Sequence, residues 1–213
     1  MCIRDSFLAF LDPPKASAAS AVATLEAKGV AVKVLTGDND RVAATVCEQI
    51  GIDASNVLLG SEIDALDDAE LAERAEKTHL FAKLSPLQKA RLVRVMREML
   101  GHTVGFMGDG INDAPALVTA DVGLAIGAGT DVAIESADIV LMKSSLMDIA
   151  DAAALSRATL RNIRQNLFWA FFYNSVGIPV AAGVLYPAFG ITLNPMIAAA
   201  AMSLSSVCVV SNA

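Results

Sequence analysis

The chain has 213 residues with a formal net charge of −7, and 54% of its residues are hydrophobic. An acidic balance argues against nucleic acid as a partner, because phosphate backbones are bound by lysine and arginine. The cysteines at positions 2, 47 and 208 are far apart and form no CxxC pair, so neither a zinc site nor a disulfide framework is indicated. Every charged residue precedes Gln165, which divides the chain into a polar part and an uncharged part.

The first 150 residues alternate strand signals with helix signals. Apolar or β-branched runs predict strands, whereas helix formers bounded by proline or glycine predict helices. Strands are expected at residues 7–11, 30–35, 80–84, 103–107, 121–126 and 139–142, and helices at residues 16–28, 41–50, 67–77 and 86–100. This order predicts an α/β fold with a Rossmann-type parallel sheet.

Two polar loops follow predicted strands. Thr36-Gly37-Asp38 comes after the strand at residues 30–35, and Gly108-Asp109-Gly110 after the strand at residues 103–107. Ligands of parallel sheets bind beyond the carboxyl ends of the strands. Both loops are therefore expected to contribute to a site.

The most specific pattern is GDGINDAP at residues 108–115. Its glycines allow the backbone to turn sharply and to approach a ligand. Asp109 and Asp113 carry hard oxygen ligands of the kind that bind Mg²⁺, and Asn112 can donate hydrogen bonds to a phosphoryl oxygen. A turn without function is the alternative interpretation.

Thr36 and Lys89 are candidates for binding a phosphoryl group. A hydroxyl and backbone N–H groups before a helix form an anion site, although a simple helix cap has the same pattern. Lys89 lies one turn after Pro86 and would attract a phosphoryl group, unless it is a solvated surface lysine. No GxxxxGK[ST] segment occurs, so a P-loop is excluded.

The last part of the chain is long and apolar enough to predict a two-helix transmembrane hairpin. Residues 151–165 are expected to form a cytoplasmic connector helix, followed by spans at residues 166–186 and 191–212 with a turn between them. Arg157, Arg161 and Arg164 precede the first span, which places that end in the cytoplasm. Two buried core helices are the alternative.

Polar and soft side chains occur within both predicted spans. Tyr173 and Asn174 are adjacent in the first, and Met202 and Ser206 are one helical turn apart in the second. A thioether is a soft ligand that suits Cu(I), whereas small polar residues can also simply pack helices together. Pro179 is expected to kink the first span.

In order and spacing, Thr36-Gly37-Asp38, Pro86 with Lys89, and residues 108–117 (GDGINDAPAL) resemble the haloacid dehalogenase-type phosphorylation domain of P-type cation-transporting ATPases. The resemblance implies an ATP-driven transporter that forms an aspartyl-phosphate and uses Mg²⁺ and ATP. It assigns the phosphoryl group to Thr36 and Lys89, the magnesium ion to Asp109, and support of the site to Asn112 and Asp113. Gly37 and Asp38 of the same motif are expected to be catalytic residues with them, and Asp113 to bind the cofactor with Asp109.

The D-K-T-G-T segment that carries the phosphorylated aspartate of this family does not occur in the chain. Asp12 ends a predicted strand, but Pro13-Pro14 follow where Lys-Thr would be needed. The resemblance therefore implies a C-terminal fragment that is inactive alone, with residues 7–150 a partial phosphorylation domain. ATP would be bound mainly by a domain absent here, and the missing remainder of the ATPase is the expected partner.

Different segments of the chain resemble different subfamilies of P-type ATPases. Residues 7–15, 30–39, 60–63 and 81–89 resemble magnesium-transporting members, whereas residues 121–212 resemble copper-exporting members. The ion path of copper exporters has a Tyr-Asn pair and a Met-Ser pair, which match Tyr173, Asn174, Met202 and Ser206. The expected cargo is Cu⁺ in a multi-pass protein of the lipid bilayer, with Mg²⁺ as the alternative.

Residues 1–6 (MCIRDS) resemble a translated sequencing adapter, so they are expected to be a non-native leader. The resemblance changes from magnesium-transporting to copper-exporting members near GDGINDAPAL, a motif that both subfamilies share. This motivates the hypothesis that the chain is a mosaic of two sequences joined at the motif. The alternative is one natural transporter whose sequence combines features of both subfamilies.

Two other functional classes stay open. A membrane-anchored haloacid dehalogenase-type phosphatase would need a D-x-D-x-T segment, and a non-catalytic module would bind anions without turnover.

Overall fold

The structure, a computed structural model, describes residues 14–143 and 145–182 and the single positions 187, 190, 196, 203, 206, 207, 210 and 211. The expected strand at residues 7–11, together with Asp12 and Met202, lies outside the described residues. Contacts between Cα atoms divide the chain into two compact units, Met1–Ala150 and Asp151–Ala213.

The first unit is an α/β arrangement, as predicted. Its elements are α1 (Ala18–Ala27), β1 (Val34–Leu35), α2 (Asp40–Ile50), β2 (Val57–Leu59), α3 (Gly60–Ala65), α4 (Asp68–Lys77), β3 (Leu80–Ala82), α5 (Pro86–Glu98), β4 (Gly105–Gly108), a short 3-10 helix (Ile111–Asp113), α6 (Ala114–Thr119), β5 (Val122–Ile126), α7 (Asp131–Glu135) and β6 (Ile139–Leu141). The strands form two three-stranded sheets, in the orders β1-β3-β2 and β4-β5-β6. Every pairing is parallel, which confirms the expected sheet type.

The helices begin and end where local side chains satisfy their free backbone groups. Asn39 caps α2 by accepting the N–H of Arg41, and Gly51 ends this helix with φ of 85°. Ser85 caps α5 by accepting the N–H of Gln88, while the Gln88 side chain accepts the N–H of Ser85. The start of α5 is therefore well defined, and Lys89 lies in its first turn.

Helix α5 contributes to the core around both sheets. Leu92 and Met96 belong to the apolar cluster that contains Phe81 of β3, whereas Val93 packs in the cluster that contains Phe106 of β4. The side chains of β3 are fully buried, in keeping with its central place in the first sheet. Because neighbouring residues of one helix pack into separate clusters, α5 holds both sheets in a defined position.

Some predicted elements are shorter in the structure and others were missed. The strand expected at residues 30–35 pairs only over Val34–Leu35. Five described elements of this unit were not predicted: β2, α3, the 3-10 helix, α6 and α7. Each has three to six residues, so it contains too little sequence to show a period, and its stability comes from the parallel partner or core that it contacts.

The helix α8 (Met147–Ala181) is continuous through the expected boundary at residues 165 and 166 and through Pro179. In the portion of the chain that the structure covers, no helix combines the length and apolarity needed to cross a bilayer. The first predicted span is described up to residue 182, and the second is described only at single positions.

Candidate active site

A cleft of about 190 Å³ opens at the carboxyl ends of the strands. Its walls come from the last residues of strands in both sheets and from the first turn of α5. The lining residues are Leu35, Phe106, Met107, Gly108, Ile126, Lys89, Asp109 and Asp113. Three of the predicted site residues, Lys89, Asp109 and Asp113, are thus brought together, in the place where parallel sheets bind ligands.

An ion pair joins two of them inside the cleft. Lys89 Nζ lies 2.7 Å from Asp113 Oδ1, and the two side chains are only 12% and 14% exposed. The second oxygen of Asp113 accepts the N–H of Gly110 at 3.3 Å. The carboxylate therefore uses both oxygens to hold Lys89 in the cleft and to close the GDGIND loop.

The close packing of this loop explains the glycine at position 108. A β-carbon on Gly108 would lie 2.4 Å from the β-carbon of Asp113 and 2.8 Å from its Cγ. Any larger residue would push Asp113 away, because real contacts of a β-carbon are not this short. Gly108 thus permits the approach that puts Asp113 within reach of Lys89.

Asp109 is exposed at the end of β4, at the mouth of the cleft. Its backbone carbonyl accepts the N–H of Thr130 at 2.9 Å, and a β-carbon on Gly129 would lie 2.9 Å from the same oxygen. The loop after β5 therefore supports the backbone of Asp109. The sequence of this loop, GAGT at residues 127–130, lacks the lysine that a P-loop needs and did not predict this contact.

The donor set fits Mg²⁺ better than a metal that needs a protein cage. Among the residues described, no group of three or more His, Cys, Asp or Glu side chains is placed to hold a metal ion. Mg²⁺ keeps several of its water ligands and binds through one or two carboxylates. Asp109, which is exposed beside the cleft, meets that requirement, with Asp113 as the neighbouring carboxylate.

The loop at the end of β1 is ordered by its own hydrogen bonds. The Thr36 hydroxyl donates to Asp38 Oδ2 at 3.0 Å and accepts the N–H of Asp38 at 3.1 Å. Gly37 is exposed, and Thr36 does not line the cleft, although the preceding Leu35 does. The structure therefore places Thr36, Gly37 and Asp38 next to the cleft rather than in it.

Asn112 also lies outside the cleft lining. It is exposed in the 3-10 helix between Asp109 and Asp113. A ligand in the cleft would have to reach toward this turn to contact its amide.

One lysine near the site was not found by sequence analysis. Lys83, which follows β3, has φ of 54°, the left-handed conformation that non-glycine residues rarely adopt. Its N–H donates to the carbonyl of Asp38 at 3.0 Å, and its ammonium lies 2.8 Å from Asp40. The hydrogen bond from Lys83 lowers the pKa of Asp40, so the carboxylate stays charged. Lys83 therefore holds the Thr36 loop, and no sequence pattern signals such a conformation.

The residues predicted for a transported ion are only partly described. The ring of Tyr173 is tilted by 32° against that of Trp169, with 6.0 Å between the ring centroids, and Asn174 donates its side-chain amide to the carbonyl of Ala170 at 2.9 Å. Ser206 is one of the single described positions and is an exposed helical residue, whereas Met202 lies outside the described residues. The four side chains thus remain an untested prediction as an ion site.

Comparison with known proteins identifies the family to which the chain belongs. Residues 3–121 match the family of haloacid dehalogenase-like hydrolases, and the chain belongs to that family. The parallel α/β sheets and the loops at their carboxyl ends are therefore those of a haloacid dehalogenase-like domain.

The relatives are P-type ATPases, as the motifs predicted. "Copper-transporting ATPase 2" of Rhizobium meliloti (strain 1021) is 47% identical over 208 residues, which are 98% of this chain and 22% of that protein. "Magnesium-transporting ATPase, P-type 1" of Salmonella typhimurium is 50% identical over 159 residues, 75% of this chain and 17% of that protein. The chain spans about a fifth of the length of these relatives.

A solved structure agrees with these relatives. The crystal structure of a zinc-transporting PIB-type ATPase in the E2.Pi state superimposes with a TM-score of 0.72 and 31% identity, over 94% of this chain and 28% of that one. Related proteins are thus named for transport of copper, magnesium or zinc.

Proposed function

We propose that the first unit is the phosphate- and magnesium-binding part of an ATP-driven cation transporter of the P-type class, which forms an aspartyl-phosphate. The observation that carries this proposal is the Lys89–Asp113 ion pair, which lies in a cleft with Asp109 at the carboxyl end of β4. A mostly buried ammonium beside an exposed carboxylate provides one group for a phosphoryl oxygen and one for a metal ion.

The individual roles follow from where the side chains lie. Lys89 would bind a phosphoryl oxygen, with Asp113 holding its ammonium in place. Asp109, with Asp113 as its neighbour, would bind Mg²⁺, which supplies positive charge to the phosphoryl group when bound. Thr36 would donate its hydroxyl to a phosphoryl oxygen in place of Asp38, and Asn112 would stabilise the GDGIND loop.

The acceptor aspartate is a separate part of this proposal. The 213 residues contain no D-K-T-G-T segment, so they supply the surroundings of the phosphorylated residue and not that residue. We therefore expect the chain alone to be inactive and ATP to be bound mainly by another part of the transporter.

A labelling experiment tests this expectation. The purified chain is incubated with radiolabelled ATP and Mg²⁺, quenched in acid, and treated with hydroxylamine, which cleaves acyl phosphates. We expect no hydroxylamine-sensitive label. A label that Asp109→Asn removes would show that the chain carries its own acceptor.

A chimera tests the site itself. The chain replaces the matching 22% of the Rhizobium meliloti copper-transporting ATPase, which retains its own remaining segments. We expect the chimera to form a phosphoenzyme and Lys89→Met to reduce its formation about 100-fold or more, by analogy with loss of one stabilising donor. A chimera that is phosphorylated equally with and without Lys89 would contradict the role given to this residue.

For the transported ion we propose Cu⁺, bound by Tyr173, Asn174, Met202 and Ser206. Support comes from the soft thioether of Met202 and from a copper-transporting relative that matches 98% of the chain. In the chimera, Cu⁺ is expected to stimulate ATP hydrolysis, and Met202→Leu to remove this stimulation while basal phosphorylation from phosphate persists.

Transport of Mg²⁺ is the second candidate. It is favoured by the 50% identity to a magnesium-transporting relative, although that match covers only 75% of the chain. Stimulation of the chimera by Mg²⁺ under metal-buffered conditions, without a response to Cu⁺, would favour this candidate.

We also propose that residues 166–213 lie in the lipid bilayer as two helices, with the first unit in the cytoplasm. In the described part of α8, large apolar side chains are exposed on several faces: the consecutive residues Leu167, Phe168 and Trp169, which point about 100° apart, are 53%, 60% and 44% exposed. A helix that is apolar on all faces requires a protein core or a membrane around it. Extraction of membranes with alkaline carbonate is expected to leave the chain in the membrane pellet.

A further inference from the structure

Apart from Asp151 at its start, every charged residue of the second unit is an arginine. From residue 152 to residue 213 the only charged residues are Arg157, Arg161 and Arg164, in a chain whose net charge is −7. All three side chains are exposed, and no ion pair joins them to a carboxylate among the described residues. Their position before the first predicted span indicates its orientation, and the function proposed above assigns no ligand to their guanidinium groups.

The three arginines share one face of α8, because they are spaced by four and three residues. Together with Leu160, Phe168 and Trp169 they line a groove of about 450 Å³. One end of this groove is therefore cationic, and the other end is apolar and aromatic.

The apolar end is built from contacting aromatic rings. The centroid of the Trp169 ring lies 5.6 Å from that of Phe168 and 5.9 Å from that of Phe172, both with edge-to-face geometry. Tryptophan is enriched where hydrocarbon meets headgroups, since its ring is apolar and its N–H is polar. The change from arginine to tryptophan along the groove thus matches the change from headgroup to acyl chain.

We propose that this groove binds the phosphate headgroup of an anionic phospholipid, with Arg161 and Arg164 on the phosphate and Trp169 beside the first part of the acyl chain. A guanidinium group pairs with phosphate through two hydrogen bonds. An anionic headgroup, unlike a choline headgroup, adds no cation that the arginines would repel. The proposal depends on the membrane location given above for residues 166–213.

The chain provides its own probe, because Trp169 is its only tryptophan. The full chain is reconstituted in phosphatidylcholine vesicles that contain a fixed fraction of phosphatidylglycerol. The acyl chains of one lipid or the other are brominated, which quenches tryptophan fluorescence on contact. We expect brominated phosphatidylglycerol to quench Trp169 several-fold more than brominated phosphatidylcholine at the same mole fraction, with enrichment of about fivefold per engaged arginine.

Variants connect this preference to the groove. The triple variant Arg157→Gln, Arg161→Gln, Arg164→Gln is expected to bring the two quenching values to equality. The matched control removes three positive charges from exposed residues of the first unit, Lys15→Gln, Arg41→Gln and Lys143→Gln, and is expected to keep the preference. A triple Arg→Lys variant, which keeps the charge but loses the paired hydrogen bonds, is expected to keep part of it.

The outcomes separate this inference from the proposed function. Equal quenching by both lipids in the unaltered chain would overturn the lipid site and leave the membrane location intact. Absence of quenching by either lipid would overturn the membrane location and, with it, the lipid site. A preference that the Arg→Gln variant retains would show that the groove is not its source.

Discussion

Lys89 and Asp113 form a 2.7 Å ion pair between residues that are 24 positions apart in the chain. The pair connects the first turn of α5 to the loop that follows β4. Because both side chains are mostly buried, neither charge has much access to water if its partner is removed.

Breaking this pair is expected to be costly. Lys89→Met or Asp113→Asn should each lower the free energy of unfolding by about 3 kcal/mol, the magnitude typical of leaving one buried charge uncompensated. The double variant should lose less than the sum of the two, because no unpaired charge remains. Urea unfolding of the purified chain in detergent, followed by circular dichroism, measures all three values, and additive losses would contradict the coupling.

Gly108→Ala is expected to disrupt the same loop by steric contact. The added β-carbon would lie 2.4 Å from that of Asp113, so we expect a loss of about 2 kcal/mol from overpacking. Gly105→Ala in the same strand is a matched control, since the nearest neighbour of its β-carbon, Leu124 Cδ1, is 3.6 Å away. The same unfolding measurement tests both, and equal losses at the two glycines would argue against the close approach at Gly108.

Lys33 is expected to stabilise the end of α4. Its ammonium donates to the backbone carbonyls of Ala75, Glu76 and Thr78 at 2.8, 3.0 and 2.7 Å. Lys33→Met keeps most of the apolar stem and removes these bonds, which should cost about 2 kcal/mol. It should also speed hydrogen exchange in the last turn of α4.

Lys77, in the last turn of α4, provides the control for Lys33→Met. Lys77 forms an exposed ion pair with Glu73, and Lys77→Met should cost less than about 0.5 kcal/mol. If Lys33→Met were as mild as Lys77→Met, the three hydrogen bonds would not contribute to stability.

Glu62 is expected to make stability depend on pH in the acid range. The N–H of Leu59 donates to its carboxylate, and Arg74 forms an ion pair with it, so both lower its pKa in the folded state. A depressed folded pKa contributes stability above the unfolded pKa, which is about 4.3, and this stability is lost as the pH falls through the folded pKa.

Glu62→Gln tests that dependence, because glutamine keeps an acceptor for Leu59 without the titrating charge. The stability difference between the unaltered chain and this variant should shrink as the pH is lowered from about 6 toward 3. Glu98→Gln removes the same charge from an exposed position and controls for the general loss of charge. A difference that stays constant over this range would contradict the role given to Glu62.

The long helices of the first unit were predictable because their signals are local. Asn39 and Gly51 delimit α2, and Ser85, Pro86 and Gln88 define the start of α5, so each boundary is set by residues within one turn. The short elements were not predictable in this way. The three residues of β2 form a strand because they pair with β3, which lies about twenty positions later in the chain.

The same distinction applies to the candidate site. The alternation of strands and helices placed the loops at residues 36–38 and 108–113 beyond the carboxyl ends of parallel strands. The residues of the motifs in these loops indicated which side chains are candidates for the site. The sequence did not show that Lys89 binds Asp113, that Thr36 donates a hydrogen bond to Asp38, or that Lys83 adopts a left-handed conformation. These relations need two or more segments to be packed together, so no single stretch of sequence contains them.

By itself, the sequence determined the parallel α/β class, the position of the Thr36 and Asp109 loops at strand ends, and the separation of a charged part from an uncharged part after Arg164. These features follow from local propensity and from residue chemistry, which act without knowledge of neighbours. Only the tertiary structure decided which side chains share the cleft. Its reason is physical: a buried ammonium at Lys89 is stable only where packing brings the Asp113 carboxylate within hydrogen-bond distance.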